Sequence, residues 1–352
     1  YAGLHMDLEL LDWLNSYTFP EEAKYKDIGY AEKAYSIFTE DIRRSETTRI
    51  CCFGTIHREA DLLLAKKLDE AGLCGLVGKV NMDRNSPEDL TEDADGSYDE
   101  TVRFINEMEC LNLNGIKPII TPRFIPSCSD RLCRMLGKLA AEKAIPVQSH
   151  LDENLSEIEW VKELCPWAES YSDAYDRPGL FGTTPTVMAH AVWPDQKEME
   201  LIRKRNVYIA HSPSSNANLS SGIAPVRAFL NMGINVGLAT DIAGGSSASL
   251  FRVMTEAIQA SKLRWRLTDE RGLKPLTFAE AFYIATRSGG SFFGKTGALE
   301  EGYDADLLVI DDRDARTALR EDLSVSERLE WYSYRTPGDR IAAKFIKGRQ
   351  IL

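Results

Sequence analysis

The chain has 352 residues, 43% of them hydrophobic and 9% aromatic, enough to bury one barrel-sized core with a small satellite. Its 54 acidic residues against 42 basic ones give a net charge of −12, which argues against a phosphate backbone or an anionic membrane as partner and fits a small neutral substrate. Seven cysteines without regular spacing, no long apolar run and no charged-then-apolar leader exclude a disulfide scaffold, a membrane span and a signal peptide, so a reducing cytoplasm is expected.

Residues 1–48 read as helical, chiefly over 8–14 and 30–43. From Arg49 onward, short β-branched and apolar runs alternate with stretches of helical periodicity, the pattern of βα units. The expected strands are Arg49–Phe53, 74–80, 116–121, 145–150, Thr186–His190, 207–211 and 234–241, with helices at 59–71, 99–110, Asp130–Lys143 and 224–232. The acidic segment 83–100 reads as a solvated loop. Seven such units are one short of a (β/α)8 barrel, and a seven-strand sheet leaves two edges that an eighth strand closes. The expected class is therefore α/β, a TIM-type barrel over residues 1–300 whose first strand lies upstream of Tyr1. After about Gly297 the pattern changes to antiparallel strands at 305–310 and 341–346 around a helical stretch at 325–332. Residues 301–352 are expected to be the remnant of a small β-sandwich appendage.

Barrel chemistry is placed at the C-terminal ends of strands. His150, His190 and His211 close expected strands, His57 lies just past one, and Asp241 closes the last. Each alone is explained as a hydrogen-bonded structural residue. Together, imidazoles and a carboxylate converging on one rim form a divalent-metal site suited to zinc or iron. Glu153 stands three residues beyond His150, where it can face an activated water without binding the metal. The alternative is that Asp152 and Glu153 cap the helix beginning near Leu155. No Pro-Cys-x-x-Cys follows a His-x-Glu, and neither a Walker lysine loop nor a Gly-x-Ser-x-Gly elbow is present. Hydrolysis by this chain is expected to be metal-based.

His150 with Glu153, His190, the His-Ser-Pro-Ser-Ser-Asn run at 211–216, Asp241 and Gly-Tyr-Asp-Ala-Asp-Leu at 302–307 resemble the amidohydrolase superfamily in order and strand placement. Within it, the resemblance to guanine deaminases covers essentially the whole chain. It is carried by Thr121-Pro122-Arg123-Phe124, Gln148-Ser149-His150 with Glu153-Asn154, Tyr171 to Asp176, Thr240 to Gly245, Leu11-Asp12-Trp13-Leu14 and Tyr17-Thr18-Phe19-Pro20. Thr-Pro-Arg-Phe is the element that sets that group apart. The resemblance implies that His150 and Asp241 are metal ligands for one Zn2+ per subunit, with Fe2+ as the alternative. It makes Glu153 the proton shuttle and His190 the group that polarises the attacking hydroxide. Arg123 and Phe124 would form the guanine pocket, with His150, Glu153 and Asp241 also facing the substrate; Arg123 also reads as a strand-end arginine in a surface ion pair. His211 is expected to support the site without being a ligand, His57 to serve helix capping or the pocket edge, and His5 to have no role.

Such proteins also carry a His-x-His pair at the first barrel strand and a glutamine that reads the purine; this sequence has no His-x-His, and the pair is expected upstream of Tyr1. The implied reaction is hydrolytic deamination of guanine to xanthine and ammonia by a cytoplasmic homodimer that binds neither nucleic acid nor membrane. The competing readings are a sibling amidohydrolase acting on another aminopurine, a pterin or a nucleoside, and a metal-free scaffold.

Overall fold

In the computed structural model, which describes residues 2–268, 272–312, 322–335 and 340–352, seven of the strands run parallel in sequence order. Arg49–Phe53 pairs with Cys74–Gly78, which pairs with Ile116–Pro118. Short extensions, Val80–Asn81 and Thr121–Pro122, pair beyond them. A parallel bridge between Ile120 and Val147 joins this half to the other, in which Val147–Leu151, Thr186–His190, Tyr208–His211 and Asn235–Leu238 follow in register. A helix lies in every connection, including Arg58–Glu70, Ala94–Leu111, Asp130–Lys143 and Gln196–Lys204. Parallel strands need such crossovers, because a tight turn cannot reverse the chain twice. The fold is α/β, as expected. Among the described residues, Arg49–Phe53 and Asn235–Leu238 are each paired on one side.

Arg49–Phe53, Thr186–His190 and Asp130–Lys143 fall where the sequence places them. The segment 83–100 does not: a helix starts at Ala94, because the Asp93 side chain accepts a hydrogen bond from Gly96 N at 2.9 Å and caps it. That helix is anchored at Asn81, whose Nδ2 donates to Ser97 Oγ at 2.9 Å and Thr101 Oγ1 at 2.7 Å.

The main core packs strand residues such as Val77, Val147, Met188, Ile209 and Val236 against helix residues such as Leu68, Leu136 and Ile202. A second cluster sits on the rim side. Leu10, Trp13, Leu14 and Phe19 from the N-terminal helical turns pack on Val80, Met82, Leu90 and Leu219, which draws this segment over the strand ends.

Leu307–Ile310, Ile341–Ile346 and Arg349–Gln350 form an antiparallel sheet. Two buried cations fasten it. Arg49 Nη2 donates to Asp304 at 2.8 Å and Asp306 at 3.0 Å, and Lys344 Nζ donates to Ile42 O at 2.8 Å and Ser45 O at 2.9 Å, at the C-terminal end of the Ile28–Arg44 helix. Burial pulls the Lys344 ammonium down to about 7 despite the Glu46 carboxylate nearby. No helix among the described residues is long and apolar enough to cross a membrane.

Candidate active site

Three strand ends turn sharply where the chain leaves the sheet. Asp152 has φ 48°, His190 75° and Asp241 47°, a left-handed region that ordinary side chains avoid. Such conformations persist where the surroundings hold them, and they gather at functional sites. Each turn swings a polar side chain over the rim instead of along the strand. His150, Glu153, His190 and Asp241, with Arg123 and Phe124, all line one cavity of about 1320 Å³.

His150 is held by its own strand neighbours. Its Nδ1 lies 2.6 Å from Arg123 O, a carbonyl that can only accept, so Nδ1 carries the hydrogen and Nε2 keeps its lone pair. The ring packs 4.5 Å from Phe53 and 5.5 Å, near parallel, from His190. Burial, then the charge of His190, pushes the His150 pKa down to about 4 and keeps the imidazole neutral.

His190 is oriented by Asn216, whose Oδ1 accepts from Nδ1 at 2.8 Å. Its Nε2 therefore faces Glu153 Oε2 at 3.3 Å and Asp241 Oδ2 at 3.9 Å. Burial opposes a charge on His190, but Glu153 and Asp241 outweigh it and its pKa is raised. Burial raises Glu153 to about 7, against the pull of His190 and of Ser221, whose Oγ donates to Glu153 Oε1 at 3.0 Å. A carboxyl poised near neutrality is matched to carrying protons in either direction.

The helix after this strand is capped by Asn154, not by Asp152 or Glu153. Asn154 Oδ1 accepts from Ser156 N at 2.9 Å, and Glu157 closes the box by accepting from Asn154 N at 3.2 Å. Glu157 also accepts from Glu153 N at 3.1 Å and from Tyr171 OH at 2.6 Å, so it braces the turn that presents Glu153. Burial, then the charges of Glu198, Glu157 and Asp195, raises the Asp152 pKa well above normal.

Arg123 is in an ion pair, but not a surface one: its side chain is 11% exposed, and Nη1 donates to Glu22 Oε1 at 2.8 Å and Oε2 at 2.6 Å. Its guanidinium also lies over the Phe19 ring, 5.0 Å from the centroid. Phe124 is buried and meets Trp160 edge-on at 6.4 Å.

The other histidines sit apart from the cavity. His57 holds the N-cap position of Arg58–Glu70, yet its ring caps nothing, and the Asp61 carboxylate takes the nearby Thr55 N at 2.8 Å instead. His211 is buried, its Nδ1 without a partner among the described residues, and its carbonyl accepts from Ala239 N at 2.9 Å. His5 stacks on Tyr17.

Sequence reasoning did not single out Glu22, Glu157 or Ser221. Glu157 was signalled by the Asn154-x-x-Glu157 spacing; Glu22 and Ser221 reach the site only through long-range packing and carry no local signal.

Among the described residues, no group of three or more His, Cys, Asp or Glu side chains is arranged to hold a metal ion. His150 and Asp241 nevertheless fit two positions of such a site. A neutral imidazole whose other nitrogen is fixed by a carbonyl, beside a carboxylate, is the donor pair that zinc or iron accepts.

The amidohydrolase family profile matches residues 2–351. The chain is 40% identical to guanine deaminase of Rattus norvegicus, over 89% of this chain and 69% of that one. It is 41% identical to guanine deaminase of Dictyostelium discoideum, over 88% and 69%. A crystal structure of guanine deaminase from C. acetobutylicum with bound guanine in the active site superposes with a TM-score of 0.95 at 47% identity, covering 100% of this chain and 83% of that chain. The cavity thus lies in a framework shared along nearly the whole sequence, and the chain belongs to the amidohydrolase family.

Proposed function

We propose that the protein is a metal-dependent guanine deaminase that hydrolyses guanine to xanthine and ammonia. The observation that carries this is the placement of His190 Nε2 at 3.3 Å from Glu153 Oε2 and 3.9 Å from Asp241 Oδ2, on the same cavity as Arg123 and Phe124. The likeness to guanine deaminases at 38–41% identity supports it.

His150 and Asp241 would hold a zinc ion, with iron the alternative. The metal, when bound, supplies the Lewis acidity that makes water a nucleophile near neutral pH. Asp241 accepts the proton of the attacking water, and His190 hydrogen-bonds the attacking oxygen as it adds to C2 of guanine. Glu153 delivers a proton to the ring nitrogen, takes up the remaining proton of the attacking oxygen and passes it to the departing amine, and the proton held by Asp241 then reloads Glu153. Arg123 donates to the purine carbonyl, and Phe124 offers its apolar ring to the planar base.

The same reading divides the chain into a barrel over residues 1–300 and a β-sandwich remnant over 301–352. It fills the gap between Asn235–Leu238 and Arg49–Phe53 with an eighth strand carrying the remaining two ligands; the single-sided pairing of those two strands supports this. Seven free cysteines support a cytoplasmic location, and the homodimer rests on the family resemblance. Ammonia release by the metal-loaded, full-length protein tests the reading: guanine should be consumed, with adenine, adenosine and cytosine at least about a hundredfold slower. Faster release from any of those three would transfer the assignment to a sibling amidohydrolase.

A further inference from the structure

Glu22 lies in the Phe19–Ala23 helical turn, 101 residues from Arg123, yet both its oxygens accept from Arg123 Nη1. The two side chains are 16% and 11% exposed and both line the cavity that holds His150 and Glu153. The turn itself is fixed by Phe19, which is 3% exposed in the rim-side cluster and lies beneath the guanidinium. Glu22 is therefore held against Arg123 by the packing of its own segment. It does not reach in from solvent as a flexible surface partner would.

We propose that Glu22 is a positioning and specificity residue: it aims Arg123 and cancels its charge, so that the pocket accepts a neutral aminopurine and does not retain the acidic product. This rests on the guanine reading above. Deamination replaces the C2 amino group by a carbonyl and puts a hydrogen on the neighbouring ring N3, where the new carbonyl helps to stabilise the anion left when that hydrogen is lost. Xanthine is consequently the stronger acid and gives an anion under mildly alkaline conditions, where guanine stays neutral. A guanidinium without a counter-charge in a half-closed pocket would favour that anion strongly, because little water screens the attraction. The Glu22 carboxylate makes the pair neutral while leaving an arginine in place to donate to a neutral carbonyl. Among the described residues, the other ionisable groups facing the pair include Tyr25, Tyr35 and Asp61 beside Glu22, and His150 beside Arg123. Burial raises the pKa of the two tyrosines and of Asp61 and so favours their neutral forms, while both Glu22 oxygens accept from the Arg123 guanidinium.

The test uses metal-loaded, full-length protein as wild type, Glu22→Gln, Glu22→Asp and Glu22→Ala. Dissociation constants are measured by equilibrium dialysis at mildly alkaline pH for xanthine, largely an anion there, and for hypoxanthine, a purine with one carbonyl that is largely neutral. Glu22→Gln is expected to tighten xanthine about tenfold while hypoxanthine moves less than about twofold, and Glu22→Asp to restore the wild-type ratio. Glu22→Ala gives the same split if the glutamine variant does not fold. Equal shifts for both ligands would reduce Glu22 to a structural brace, and no shift for xanthine would remove its electrostatic role; either overturns the proposal. Guanine turnover by the wild type is recorded alongside, and its absence would overturn the guanine reading and this inference with it.

Discussion

Glu157→Ala removes the carboxylate that braces the turn carrying Glu153. Three donors lose their acceptor: Glu153 N at 3.1 Å, Asn154 N at 3.2 Å and Tyr171 OH at 2.6 Å. Hydrogen bonds to a charged acceptor contribute about 1.5 kcal/mol or more each, so the three sum to about 4 to 5 kcal/mol. The variant no longer buries a carboxylate close to Glu153, which returns part of this, and a net loss of about 3 kcal/mol is expected. Tyr171→Phe alone should cost about 1.5 kcal/mol. Because the Tyr171 bond is common to both variants, the double variant should lose about 1 kcal/mol less than the sum of the single losses. Urea unfolding of the metal-loaded, full-length protein measures all four corners of this cycle. A loss below about 1 kcal/mol for Glu157→Ala, or strict additivity with Tyr171→Phe, would refute the bracing role.

Two further outcomes follow from buried groups elsewhere. Ser221 donates to Glu153 and lowers its pKa, so Ser221→Ala should move the Glu153 limb of the guanine turnover profile from about 7 to higher pH; a shift to lower pH would contradict the assignment. Lys344 has its pKa pulled down to about 7 in the folded state, against about 10.4 in an unfolded chain. Between those values the unfolded state binds the extra proton, so stability gains a contribution that rises with pH through that window and is at its lowest below about 7. Lys344→Met should flatten this slope in urea midpoints taken at several alkaline pH values, and an unchanged slope would show that the ammonium is not desolvated.

The parallel strands were legible because each is a short β-branched run between polar turns; Arg49–Phe53 and Thr186–His190 needed no other information. The breaks after Gly78 and Pro118 were not, since a strand that pauses and pairs again keeps its apolar pattern throughout. The helix beginning at Ala94 was hidden by its acidic start, where Asp93 looks like one more solvated charge unless its bond to Gly96 is seen. In the site, strand-end position singled out His150, His190 and Asp241, and all three line the cavity. What escaped was the support: Ser221 meets Glu153 across 68 positions and Glu22 meets Arg123 across 101, distances over which no periodicity operates. The surface ion pair weighed for Arg123 proved to be a largely buried one, because the rim-side cluster draws the N-terminal turns over the strand ends. Asp152 and Glu153 were read as alternative caps, but Asn154, which directly precedes Leu155, holds the N-cap position while Glu153 turns toward His190.

The central claim is that Glu153 moves protons in the deamination of guanine. Glu153→Gln keeps the size of the side chain and removes its capacity to carry a proton. Guanine loss followed by ultraviolet absorbance in the metal-loaded, full-length protein should fall by at least about a thousandfold, with metal content near that of the wild type. Retention of most of the wild-type rate at full metal occupancy would contradict the account.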